Sequence, residues 1–126
     1  MSAPTHDIIA LSGSVQGKPV KVASTGPAGT AGTLLHQVPA GEKHRIELWA
    51  WSAATTAVTL TLQIGGTTAP DSELSVTIPP KGSVPTLILP YWQLDGGAAG
   101  LSVYGYAGTA NMILVAGHAN KRVPAA

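Results

Sequence analysis

Residues 57–64, "AVTLTLQI", alternate without a break: Val58, Leu60, Leu62 and Ile64 point one way, Thr59, Thr61 and Gln63 the other. A period of two places one apolar row on one face of a strand and cannot build the apolar stripe of a helix. Six more short segments follow the same logic: "TLLHQV" (33–38), "HRIELWAWS" (44–52), "ELSVTI" (73–78), "VPTLILPYW" (84–92), "LSVYGYA" (101–107) and "NMILVAG" (111–117). Gly- and Pro-rich breaks such as "PAGEK", "GGTTAPDS", "PPKGS" and "QLDGGAAG" separate most of them, and their chemistry is that of turns. Short strands at this spacing predict an all-β chain, an antiparallel β-sandwich of about seven to eight strands, jelly-roll or immunoglobulin-like. "NMILVAG" is apolar on both faces, as a central strand is.

Residues 1–32 differ in composition. "SGSVQGKPVKVASTGPAGTAGT" is mostly Gly, Ser, Thr, Ala and Pro. "DIIAL" and "PVKVA" each suit a short strand, with little apolar surface to hold either down. The expected organisation is an extended N-terminal arm over 1–32, a β-sandwich domain over 33–118 and a C-terminal tail over 119–126. The apolar residues of the arm, Ile8, Ile9, Leu11, Val20 and Val22, are its candidate contacts with a partner.

Composition narrows the function. Charged residues are 10% of the 126, against roughly 25% in an average globular chain. So few charges suggest a surface largely covered by other protein. A net charge of +1, with no basic run longer than Lys121-Arg122, argues against nucleic-acid binding and against an electrostatic membrane anchor. The absence of cysteine excludes a disulfide framework, a Cys-type zinc site and a cysteine nucleophile. "MSAPTHDIIALSG" lacks a basic n-region, and no stretch reaches the ~20 apolar residues of a membrane span. Synthesis in a host cytoplasm without export is the expectation.

Catalytic chemistry has little to work with. The acids are Asp7, Glu42, Glu47, Asp71, Glu73 and Asp95, mostly in turns or at strand ends; only a fold that paired two of them would suit glycoside hydrolysis. The histidines are His6, His36, His44 and His118, without HxH or HExxH spacing. His36 and His44 flank the "PAGEK" turn and are expected to face each other across a hairpin, as a polar cross-strand pair rather than a metal site. No G-x-S-x-G occurs. "GSVQGKP" (13–19) falls short of a phosphate loop by one residue between its glycines and by Pro19, which stands where a Ser or Thr belongs. A non-catalytic protein without cofactor or metal is expected.

The aromatics remain. Trp49, Trp51, Tyr104 and Tyr106 fall on the polar register of their strands. Neighbouring strands would gather them into one patch, and Trp and Tyr anchor interfaces because they join a large apolar area to a hydrogen-bonding tip. Three readings stand: a subunit or capsid interface, a layer covered within the chain, or a platform for stacking sugars. Gln63 and Asp95 are the polar candidates beside a sugar.

"IIALSGSVQGKPVKVAST", "GTLLHQVPAG", "LTLQIGGTTAPDSELSVTIPPKGS" and "GTANMILVAGHANKR", in that order, resemble small virion structural proteins of tailed bacteriophages, of the capsid decoration or cement type. The resemblance spans nearly the whole chain and rests on the order of its phrases, none of which carries chemistry. It implies a β-sandwich subunit on the virion surface, bound to the major capsid protein as a homo-oligomer, often a trimer, and reinforcing the head. Neck, tail and head-fibre components share the pattern. The enrichment of Trp in 44–52 departs from it, and suggests a more apolar subunit contact. A carbohydrate-binding or adhesin module is the alternative from another class.

Overall fold

A computed structural model describes residues 5–27, 29–68 and 71–123. These form nine strands and no helix: β1 (Thr5–Ala10), β2 (Val20–Lys21), β3 (Thr33–Val38), β4 (Lys43–Ser52), β5 (Val58–Ile64), β6 (Glu73–Ile78), β7 (Thr86–Asp95), β8 (Leu101–Ala107) and β9 (Ile113–Val123). They lie in two sheets. The front sheet runs β1–β9–β4–β7, with β2 also on β9, and the back sheet runs β3–β8–β5–β6. Every pairing is antiparallel.

The pairs β2–β9, β3–β8, β4–β7 and β5–β6 nest inside one another along the chain. That is a long antiparallel ribbon folded over into two sheets, the strand order of a jelly roll. The choice between jelly roll and immunoglobulin-like sandwich, open from periodicity alone, is settled by this order.

The core lies between the sheets. In β4 the inward row is His44, Ile46, Leu48, Ala50 and Ser52, all buried, and it meets Leu35, Val38, Leu60, Leu62, Ile78 and Val103 from the back sheet. Each large apolar side chain so covered contributes about 1.5–3 kcal/mol relative to exposure. β9 is central, with neighbours on both sides, as its two-sided apolar sequence implies. Gly117 sits where β9 crosses β4 so closely that a Cβ would meet the Glu47 carbonyl oxygen.

Two boundaries move. Residues 5–22 do not leave the domain as an arm: β1 pairs with β9 over six residues and β2 over two. Leu11, Val20 and Val22 are 2%, 8% and 0% exposed and belong to the chain's own core, so they are not partner contacts. The loop after Val22 is moulded too, through Val22 N–H to Ile113 O and Ala107 N–H to Ser24 O. At the other end β9 continues through Val123, and its residues 119–123 pair with β1, so the expected tail from 119 is sheet as far as the structure describes it. Pairing on both sides imposes a strand on "HANKR" despite its polarity.

Candidate functional site

The four aromatics singled out in sequence do not form one patch. Trp49 and Trp51 stand on the outer face of the front sheet, Tyr104 and Tyr106 on β8 of the back sheet, so the sandwich separates the pairs. Tyr104 and Tyr106 are half-buried. The Tyr106 hydroxyl donates to Glu73 Oε2 at 2.8 Å, and this bond to a carboxylate raises its pKa above that of an ordinary tyrosine.

The outer face of the back sheet is further covered by the chain itself. Gln63 is fully buried, accepting from Gly32 N–H at 2.9 Å and donating from Nε2 to Thr30 O at 2.8 Å. The loop around residue 30 therefore covers this face at Gln63, while Thr59, Ser75 and Thr77 stay exposed farther along it. Gln63 is not available to a sugar, and Thr61, expected outward, is also buried. Asp95 remains exposed, capping Gly97 N–H and lying 4.0 Å from Lys43.

The front sheet's outer face is open. Its β4 row is Lys43, Arg45, Glu47, Trp49 and Trp51. Trp49 lies opposite Leu87 of β7 and Ala116 of β9, and Trp51 opposite Leu114. Trp49 and Leu87 are 37% and 39% exposed. Towards the middle the β4–β7 register shifts between Ile46 and Leu48, and Tyr91 adopts φ 53° there, just after Pro90. A bulge with a left-handed non-glycine residue re-aims a side chain, and the Tyr91 ring meets His118 edge-on at 6.2 Å while remaining 56% exposed. His118 also lies 3.6 Å from Glu47. Trp92, beside it, sits at the open side of the sandwich near Ile64 and Leu74. Ile8 of β1 is 75% exposed, opposite Asn120, while Ile9 packs on the core.

Sequence reasoning passed over Leu87, Tyr91 and Trp92. "PYW" carried the signal: a proline inside a strand pattern marks an edge or a bulge.

A second feature is internal. β3 and β4 belong to opposite sheets, so "PAGEK" is a crossing rather than a hairpin, and His36 and His44 meet through the core at 0% and 2% exposure. Ser12 N–H donates to His36 Nδ1 at 3.0 Å. The His36 proton therefore sits on Nε2, which donates to His44 Nδ1 at 2.7 Å; His44 Nε2–H in turn reaches Glu42 Oε1 at 2.9 Å. Lys121 Nζ lies 3.7 Å from the same oxygen. Burial, with His44 alongside, lowers the His36 pKa to about 4. The bond from His44, aided by Lys121, holds Glu42 below the usual carboxylate range. Both rings being sealed from solvent, this chain of hydrogen bonds joins the two sheets and fastens the segment after β1. Ser12 Oγ closes the fastening by accepting from Gln37 N–H at 2.6 Å. Among the described residues, no group of three or more His, Cys, Asp or Glu could hold a metal ion.

Comparison with known proteins finds no matching family model, curated sequence or solved structure.

Proposed function

We propose that this chain is a non-catalytic structural protein of a bacteriophage virion, a capsid decoration subunit that docks by the outer face of its front sheet. The observation carrying the reading is that face: Trp49, Leu87, Tyr91 and Ile8 stand exposed on a hydrogen-bonded β-surface. Large aromatic side chains at a protein surface are the usual anchors of an interface. The sequence resemblance supplies the virion context, the jelly roll is a frequent capsid architecture, and the sparse charge suits a surface covered in the assembled state. Docking to the major capsid protein, with a trimer as the working unit, follows from the resemblance. Many copies on one shell turn modest contacts into firm attachment.

The test is light scattering over a dilution series, followed by sedimentation with purified heads, for the wild type and Trp49→Ser/Leu87→Ser. Retained oligomer and head binding in the variant would overturn the face assigned. Absence of the chain from purified virions by mass spectrometry would overturn the virion reading itself.

A carbohydrate-binding module draws on the same face, where exposed Tyr91 has Gln93 and Asn120 of the neighbouring depression nearby. A glycan array separates the two.

A further inference from the structure

The chain has two arginines, Arg45 and Arg122, and both line one open depression of about 210 Å³ on the front sheet, with Lys43, His44, Gln93 and Asn120. The register explains the grouping. Lys43 lies directly opposite Arg122, and Arg45 opposite Asn120 on one side and Gln93 on the other. Arg45 and Arg122 are thus diagonal neighbours on one face, about 7–8 Å apart at the backbone.

Like charges facing each other across a strand pair destabilise it, and little nearby relieves the cost. Asp95 reaches Lys43 only at 4.0 Å, with both side chains at least half exposed. Glu47, next along β4, turns to His118 at 3.6 Å. Among the described residues neither arginine has a carboxylate within ion-pair distance. Two guanidinium forks without a described carboxylate partner, flanked by two amides, form a donor-rich recess, the chemistry that grips carboxylates.

We infer that this depression binds the carboxylates of an acidic protein segment, at the polar end of the docking face. The inference rests on the docking reading and adds the partner's chemistry. Three cations on a chain of net charge +1 are too few for a phosphate backbone, whose proteins spread many cations along the contact. The depression also adjoins β7, the edge of the front sheet. Among the described residues, Tyr91–Asp95 beyond Pro90 pair with a strand on one side only, so an extended segment can pair with this edge and turn alternate side chains toward Gln93 and Arg45.

The test uses fluorescein-labelled hexaglutamate, with hexaglutamine as control, and fluorescence anisotropy on the full chain. The wild type should bind hexaglutamate in a salt-dependent manner and leave hexaglutamine free. Arg45→Gln/Arg122→Gln, at exposed positions, should weaken binding by about tenfold or more, as loss of charge-assisted bonds does. Arg45→Lys/Arg122→Lys should fall between, since it keeps charge and loses the forks; it also serves if the glutamine variant folds poorly. Equal binding by all variants would overturn the inference. Displacement of the peptide by inorganic phosphate at matched ionic strength would overturn the peptide assignment in favour of a free oxyanion. Self-association abolished by the glutamine variant would put a second copy in the site and overturn a foreign partner. The arginine variants leave Trp49 and Leu87 in place, and sedimentation with heads for Trp49→Ser/Leu87→Ser is read separately, so failure of the inference and failure of the docking reading stay distinct.

Discussion

His36 Nε2 lies 2.7 Å from His44 Nδ1, between sheets whose strands share no hydrogen-bonded edge. The contact makes the interior sensitive to acid. His36 is neutral when folded, with its pKa lowered to about 4, and takes a proton near 6.5 when unfolded. The unfolded chain therefore binds more protons between these values, and stability falls as pH falls through that window. The loss amounts to about 3 kcal/mol by pH 4 for a fully realised shift. Urea midpoints at pH 7.5 and pH 4 should differ accordingly; a His36→Gln variant should lose most of this dependence.

Removing residues 1–32 should abolish folding rather than free a core domain. Leu11, Val20 and Val22 leave the interior together, and at ~1.5–3 kcal/mol each they approach the whole stability of a small domain. Amide dispersion in an NMR spectrum of residues 33–126 checks this; a well-dispersed spectrum would contradict the packing of the N-terminal strands.

Adjacent residues of β4 should respond in opposite ways. Leu48 is fully buried, and Leu48→Ala is expected to cost about 2–5 kcal/mol in stability. Trp49, on the other side and 37% exposed, should lose less stability on Trp49→Ser while, on the proposed docking, impairing oligomer formation or head binding. Thermal melts alongside light scattering separate the two effects.

Gly117→Ala should destabilise by about 1–3 kcal/mol, because the Glu47 carbonyl in its path is backbone and cannot step aside without disturbing the β4–β9 ladder. A lowered melting temperature reports it.

Gln63→Ala should loosen one loop rather than the sandwich. It removes the acceptor for Gly32 N–H and the donor to Thr30 O, a loss of about 1–3 kcal/mol for buried groups left unpaired. Hydrogen exchange should quicken around residues 29–32, with β4 and β9 unchanged.

The strands were legible because period two is a local property. β3, β6 and β8 fall on the stretches read from pattern, and β4 adds only Lys43. What pattern does not carry is which sheet a strand joins. "PAGEK" has good turn chemistry, yet in a jelly roll the chain after β3 crosses to the other sheet, and turn residues look alike in either case. That sent Tyr104 and Tyr106 to the far side from Trp49 and Trp51. The burial of Gln63 escapes local pattern for a related reason: its cover comes from Thr30 and Gly32, over thirty positions away. The exposed apolar face of the front sheet was half legible, through Trp49, while Leu87 and Tyr91 join it by register and by a bulge. The arginine depression needed the pairing of Lys43 with Arg122, residues from distant parts of the chain.

The β1–β9 pairing sets how the molecule bears tension. Thr5 pairs with Val123 and Ala10 with His118, so the two ends of the described chain leave side by side from the same end of an antiparallel ribbon. A pull on both ends meets the rungs one after another, like a zip, rather than all at once in shear. β1 peels first, at low force, and the load then arrives at Leu11 and the Ser12 fastening, where the buried interior begins. A chain held at both ends would yield first along the six residues of β1, while the pull on β9 is shared with its second ladder to β4.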